Sequence, residues 1–348
     1  MSSARDLAAG PRPTLDALVR GCDLSEAGAA ALLNLLTTAE LAPAMAGALL
    51  AALRTKGVTA ADVRGVAGAM RALARKPNLK PGLDAIDIVG TGGDASGSLN
   101  LSTGASLLAA ACGLPVIKHG NRSISSRSGS ADLIEALGFT LPLDEAQAAC
   151  CFDATGFTFL FAPYFHPAMK AVAPIRAALG VRTVFNLLGP LTNPASPRYR
   201  LIGAYDAATA ELMAGTLAGR DIERAWVVHG AAGWDEATPI GPFLAFDVTR
   251  DTIRRHEIDP REFGLPTCGP GDLAGGDAVA NLAALLEVFE GRDRGAHYAA
   301  LALQCGLALY IAGRAATIDA GIDLARGTVD GGLALQWLAR LRQFAADS

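Results

Sequence analysis

The sequence predicts an α/β protein: a small all-helical N-terminal domain followed by a larger α/β domain with a mainly parallel sheet. Three observations carry this expectation. Residues 13–76 place apolar side chains at helical spacing only. A stretch rich in proline and glycine, "KPNLKPGLD", comes next and reads as a linker. Beyond it, short apolar runs alternate with helical ones, the pattern of βα units that cover a parallel sheet. The boundary therefore falls near Pro81, with 1–80 helical and 81–348 α/β. A chain of 348 residues, 51% of them hydrophobic, can bury a large core.

Taken in order, "PTLDALVRG" has helical spacing and a stop at Gly21. "LSEAGAAALLNLLTT" begins with a capping pattern, and "LAPAMAGALLAALRTKG" ends on basic residues and Gly57. "TAADVRGVAGAMRALARK" starts at Thr59, an expected N-cap. In the second domain "AIDIVG" predicts a strand, "STGASLLAAACG" a helix, "LPVIKHG" a strand, "SADLIEALG" a helix and "ERAWVVHG" a further strand. From "DAVANLAALLEVFEG" onward the chain is again helical in pattern.

Composition narrows the function. Charged residues make up 18% and the net charge is −4, with both signs scattered. No basic block points to nucleic acid and no lysine-rich amphipathic helix to a membrane. The first residues, "MSSARDLAAGPRPTLDALVRG", lack a signal-peptide core, and uncharged runs such as 95–117 carry too many polar, glycine and proline residues for a span. A cytoplasmic protein with neither a nucleic-acid nor a membrane partner is expected. Six cysteines without CxxC spacing are expected to be small buried thiols.

The chemistry concentrates in "DIVGTGGDASGSLNLSTGAS". Gly90 to Ala95 matches G-x-G-x-x-A after a strand, yet 95–131 contains no Asp or Glu to hold a ribose hydroxyl. That absence removes a dinucleotide reading. The same stretch carries Lys118, Arg122 and Arg127, with many hydroxyl and main-chain donors. A helix beginning after Asn100 would aim its N-terminal amides at a ligand over the glycines. This predicts a cradle for a highly phosphorylated anion at the carboxyl ends of strands, without the lysine pattern of a P-loop. A polyphosphate is accompanied by Mg²⁺, which takes oxygen ligands. Asp235-Glu236, past the end of "AWVVHG", offers two carboxylates suited to bridging two ions.

Four blocks in order, "GTGGD" with "NLST", "KHGNRSISSRSGSADLIEALG", "FLFAPYFHPAMKAVAPIRAALGVRTVFNLLGPLTNPA" and "GWDE", resemble the anthranilate phosphoribosyltransferases. The resemblance implies a fold of the class III phosphoribosyltransferase and nucleoside phosphorylase type, with part of 170–195 joining the helical domain and substrates meeting in a cleft. It implies transfer of the phosphoribosyl group of 5-phosphoribosyl 1-diphosphate to the anthranilate amino group, two Mg²⁺ ions per monomer, and a homodimer. By the same resemblance Gly90, Gly93, Asp94, Ser98, Asn100, Leu101, Ser102 and Thr103 bind the diphosphate. Lys118, His119, Gly120, Asn121, Arg122, Ser123, Ile124, Ser125, Ser126 and Ser130 hold the phosphoribosyl group and its phosphates. Ser102, Asp235 and Glu236 serve the metal ions, and Gly90, Asn121 and Arg176 contact anthranilate. No residue is assigned as general base, in keeping with a neutral aromatic amine as nucleophile.

Three alternatives are weighed against this, and the third, a transferase acting on a substituted or different aromatic acceptor, stays open. A pyrimidine nucleoside phosphorylase has no need of Asp235-Glu236, and a silent nucleic-acid-binding relative would show a basic surface. Trp234, in place of a smaller aliphatic residue, and Gln304-Cys305, in place of a commoner Asn-Ala, depart from the family pattern. Trp234 and "VFNLLGPLTNP" are expected to pack, and His166 and His229 to be structural.

Overall fold

The computed structural model describes residues 10–38, 40–80, 83–123 and 127–347. The chain divides into two compact units. One joins the chain up to Lys76 with Ala162–Pro194, and the other joins Pro77–Phe161 with Ala195 onward.

The first unit contains the helices Pro11–Val19, Glu26–Thr37, Pro43–Lys56 and Ala60–Ala72. Ser25 caps the second of these by accepting from the Gly28 N–H at 3.0 Å. Thr59 caps the fourth reciprocally: its hydroxyl accepts from the Asp62 N–H at 3.2 Å, and the Asp62 carboxylate accepts from the Thr59 N–H at 2.8 Å. The helix Met169–Leu179 packs on Glu26–Thr37 and Pro43–Lys56. After it, Val184, Phe185, Leu187, Leu188 and Leu191 are buried, so "VFNLLGPLTNP" is the packed connection expected of it. The Leu191 carbonyl accepts from Arg71 at 2.5 Å, which closes this return segment onto the fourth helix.

The second unit is built on seven strands: β1 (Ile86–Gly90), β2 (Val116–Gly120), β3 (Phe157–Phe161), β4 (Tyr199–Gly203), β5 (Arg224–His229), β6 (Phe243–Val248) and β7 (Ile253–Ile258). Their order is β3-β2-β1-β4-β5-β6-β7, parallel through β5 and antiparallel at β6 and β7. The expected mainly parallel sheet is present, with β1, β2 and β5 where the apolar runs lie. The β6–β7 hairpin was not anticipated. Pro239 and Pro242 obscure the approach to β6, and β7 carries Arg254, Arg255, His256 and Glu257 along an exposed edge with no alternation to read.

The chain winds from β1 outward to β2 and β3, then returns to β4 on the other side of β1. The carboxyl ends of β1 and β4 thus form a topological switch point, where loops diverge and leave a crevice. Two buried helices, Leu101–Ala111 and Ala296–Ile311, pack on each other. Gly104 permits this approach, since a Cβ there would press on Leu301. The C-terminal third is helical, as its pattern predicts. All six cysteines are free thiols, but only Cys151 and Cys305 are buried, so the expectation of six buried thiols is corrected. Among the described residues no helix is long and apolar enough to cross a membrane.

Replacing Thr59 with Ala removes one half of the cap at the fourth helix. The expected outcome is a loss of about 1 kcal/mol, read as a lower urea midpoint by circular dichroism.

Candidate active site

The site is assembled where the segment 234–236 crosses the carboxyl ends of β1, β4 and β5. Gly90 and Gly203 end β1 and β4 and are register neighbours. A Cβ on Gly90 would fall on the Asp235 carboxylate, and one on Gly203 would fall on the Asp235 carbonyl oxygen. A Cβ on Gly230, just beyond β5, would strike the Glu236 carbonyl oxygen. Three strand ends are therefore bare where this segment lies against them.

The two adjacent acids diverge, as expected for non-helical chain. The Asp235 carboxylate accepts from the Gly92 N–H at 2.6 Å, and the Asp235 N–H donates to Asp94 Oδ2 at 3.3 Å. Glu236 accepts from the Ser102 N–H at 3.0 Å, in the first turn of the helix Leu101–Ala111. Gly92, with φ of 68°, adopts the left-handed turn that brings its N–H to Asp235.

Burial, then repulsion from Asp94, pushes the Asp235 carboxyl up to about 7 against the pull of the Gly92 N–H. Burial, then repulsion from Asp235 and Asp94, raises Glu236 well above the usual carboxylate range, opposed by the Ser102 N–H and the Lys118 charge. Lys118 itself is only 1% exposed and donates to the Ile88 carbonyl at 2.6 Å. Burial lowers it to about 8, while Asp87 and Glu236 act the other way. Asp94, Asp235 and Glu236 crowd together with one ammonium, Lys118, acting on Glu236, and their oxygens are of the kind a hard divalent cation selects. Among the described residues no group of three or more His, Cys, Asp or Glu is arranged to enclose a metal ion. A cation here must draw further oxygens from hydroxyls, water or a bound ligand.

A small cavity opens beside the acids, lined by Gly90, Ser102, Asp235, Glu236, Ala237 and Gln304. Gln304, 3% exposed on the helix Ala296–Ile311, has an amide nitrogen with no hydrogen-bond partner among the described residues. Its departure from the family pattern was legible in the sequence, but its place at this cavity was not.

The remaining predicted residues have distinct surroundings. Asp94 accepts from the Ser96 N–H at 3.1 Å and from its hydroxyl at 3.0 Å. Ser98 exchanges a hydrogen bond with Ser96 at 3.2 Å, and Gly93 is exposed on the loop. Leu101 and Thr103 have buried side chains, so toward a ligand on the loop they offer main chain only. His119 is buried, with its N–H donating to Asp87 at 3.3 Å. Gly120 ends β2 where a Cβ would meet the Ser130 hydroxyl, which donates to the Asn121 carbonyl at 3.1 Å. Asn121 is exposed. Arg122 is paired with Glu135, at 2.6 Å, and Asp132, at 3.2 Å, and lies over the Phe161 ring. Ser123 donates its N–H to Asp132 at 3.4 Å. Ile124, Ser125 and Ser126 lie outside the described residues.

Arg176 belongs to the first unit. It sits over the Phe185 ring at 5.5 Å, burial lowers its pKa, and it forms no ion pair among the described residues. Trp234 is buried and His229 Nδ1 is 2.9 Å from the Ala204 carbonyl, the packing and structural roles expected of them. Asn100 bonds Ser128 and also Asn281, a buried residue of the helix Ala278–Phe289 that no sequence signal singled out.

Two family models match the chain: the helical bundle domain of a glycosyl transferase family over residues 12–74, and the a/b domain of that family over residues 82–335. The anthranilate phosphoribosyltransferase of Methylobacterium radiotolerans is 45% identical over 336 residues, covering 97% of this chain and 96% of its own. That of Rubrobacter xylanophilus is 43% identical over 329 residues, covering 94% and 96%. Among solved structures, the Thermus thermophilus anthranilate phosphoribosyltransferase has a TM-score of 0.88 at 40% identity, over 96% of this chain and 99% of its own. The Saccharomyces cerevisiae enzyme, in complex with PRPP and Mg, has a TM-score of 0.87 at 27% identity, over 98% and 99%.

Gly203→Ala forces a Cβ onto main chain that has no room to move, at an overpacking cost of about 1–3 kcal/mol. Chemical denaturation is expected to show that loss, with Gly271→Ala, where a Cβ meets nothing within 4 Å, close to neutral.

Proposed function

The chain belongs to the anthranilate phosphoribosyltransferase family, and from that premise we propose how its site performs the family's reaction. It transfers the 5-phosphoribosyl group of 5-phosphoribosyl 1-diphosphate to the amino group of anthranilate, giving N-(5-phosphoribosyl)anthranilate and diphosphate, in tryptophan biosynthesis. The observation that carries the assignment of the site is the divergent acidic pair fastened to the Gly92 and Ser102 amides beside the glycine loop.

Loss of diphosphate from C1 leaves positive charge on the sugar and gathers negative charge on the leaving group. Rate then depends on groups fixed in advance where that charge develops, and on placement of the amine. Ser102, Asp235 and Glu236 are the residues that would hold Mg²⁺, two ions per protomer in this reading, and the crowding of buried carboxylates around them supports that fit. The chemistry that bound Mg²⁺ supplies is neutralisation of the departing diphosphate. A solved relative is in complex with PRPP and Mg, which supports the same reading.

Gly90, Gly93, Asp94, Ser98 and 100–103 form the proposed diphosphate loop. Lys118, the segment 119–126 and Ser130 are proposed for the phosphoribosyl group. Buried Lys118 contributes as a charge beneath the pocket, since its ammonium is fastened to Ile88. Arg122, within that segment, is also paired with Asp132 and Glu135, which orients its guanidinium on the loop. Gly90, Asn121 and Arg176 are proposed for anthranilate. A guanidinium with no acidic partner among the described residues, held against Phe185, is a suitable anchor for a carboxylate. A cytoplasmic homodimer completes the reading, and sedimentation of the purified protein tests the oligomeric part.

Anthranilate fluorescence tests the whole assignment. Loss of signal is expected to require protein, 5-phosphoribosyl 1-diphosphate and Mg²⁺ together, to stop on addition of a chelator, and to fall at least a hundredfold in Asp235→Ala/Glu236→Ala. A folded double variant with undiminished rate removes the acidic pair from the reaction. Arg176→Lys, which cannot pair with a carboxylate through a planar fork, is expected to raise KM for anthranilate roughly tenfold with KM for the phosphorylated sugar unchanged. Equal KM values for both proteins would dismiss Arg176 as the anchor.

A further inference from the structure

The C-terminal part of the chain holds the diphosphate loop through main-chain contacts. The Leu99 N–H donates to the Leu273 carbonyl at 3.0 Å, the Gly275 N–H donates to the Gly97 carbonyl at 2.9 Å, and Ser98 and Ala274 form an antiparallel bridge. A Cβ on Gly275 would strike the Ser98 carbonyl oxygen, so the approach is close. The chain then enters the helix Ala278–Phe289, where Asn281 is 1% exposed.

Asn281 Oδ1 accepts from the Gly276 N–H at 2.6 Å, and Asn281 Nδ2 donates to Asn100 Oδ1 at 2.8 Å. Asn100 Nδ2 donates to the Ser128 carbonyl at 3.0 Å, and the Ser128 hydroxyl donates to Asn100 Oδ1 at 3.1 Å. This relay has a direction that cannot be reversed. It begins at a main-chain N–H, which can only donate, and ends at a main-chain carbonyl, which can only accept. Asn281 must therefore turn its nitrogen toward Asn100, and Asn100 must answer with its oxygen. With two donors on that oxygen and one N–H committed to Ser128, the amide of Asn100 retains one N–H that no described residue takes. An amide turned the other way would present oxygen to an anion.

We propose that Asn281 is a positioning residue for phosphoribosyl transfer, which locks the Asn100 amide so that it meets the diphosphate with an N–H. The inference rests on the reading of Asn100 as a diphosphate ligand. Asn281→Asp keeps the acceptor for Gly276 but sets an oxygen against Asn100 Oδ1, and Asn281→Ala removes the relay without adding charge.

The test is calorimetric binding of 5-phosphoribosyl 1-diphosphate in the presence of Mg²⁺, with both KM values and a thermal midpoint for each variant. In both folded variants Kd and KM for the phosphorylated sugar are expected to rise roughly tenfold, the cost of a mispaired polar group, with KM for anthranilate unchanged. Asn100→Ala is expected to weaken the same binding by a similar factor. If Asn100→Ala weakens it and both Asn281 variants bind normally, the positioning role is wrong and the loop assignment stands. A fall in kcat and thermal midpoint with Kd unchanged would likewise mark Asn281 as an ordinary packing residue. Should Asn100→Ala bind the sugar normally, Asn100 is no ligand and both readings fall together.

Discussion

The close passage of Asp235 over Gly90 and Gly203 is the constraint on which the site depends. Every other feature of the pocket follows from main chain lying directly on the carboxyl ends of two neighbouring parallel strands. The passage delivers Asp235 to the Gly92 amide and Glu236 to the Ser102 amide, which belong to opposite ends of one loop. A side chain at either strand end would lift the segment and break both contacts. The switch point of the sheet supplies the crevice, and the bare strand ends let an acidic segment settle into it.

Such a cluster is costly unless the charges are compensated, because buried like charges raise each other's pKa and lose hydration. The fold answers with main-chain N–H donors and with Lys118, whose ammonium sits beneath the acids at 1% exposure. These offset only part of the repulsion among Asp94, Asp235 and Glu236. In the proposed reading, that residual charge is what calls for cations, and it opposes a polyphosphate that arrives without them. An apparent defect of the protein alone is thus, on the proposed function, what would couple metal and substrate.

Much of this was legible in the sequence. The strands "AIDIVG", "LPVIKHG" and "ERAWVVHG" declared themselves by short apolar runs, and Asp235-Glu236 stood out as paired acids past a strand end. What was hidden depends on long-range pairing. The acid-free stretch 95–131 gave no sign that Arg122 has acidic partners, but Asp132 and Glu135, 10 and 13 residues away in sequence, fold back on it from the next helix. Asn281 lies in an ordinary apolar helical run, and no local pattern announces a residue whose partner is 181 positions away. The β6–β7 hairpin was masked by prolines and an exposed charged edge, so neither periodicity nor hydrophobicity marked it. Main-chain segments such as "LIGAYD" look like any strand end until Gly203 is seen beneath Asp235.

The helix Leu101–Ala111 shows how the expected device was altered in use. Its N-terminal amides were expected to face a phosphate directly, as helix N-termini commonly do. Instead the Ser102 amide is bonded to Glu236, so the positive end of the helix first secures a carboxylate. The dipole then acts on an anion at one remove, by holding an acid that has reason to be repelled from its neighbours. The remaining donors for a phosphate are side chains and loop amides whose orientation must be set by other means. Asn100, immediately before the helix, is the proposed donor of this kind, and its amide lies at the end of a hydrogen-bond relay of fixed polarity that begins at the Gly276 N–H. A reaction whose nucleophile is a neutral amine can be demanding in this different way: few groups react, and many must be prevented from turning.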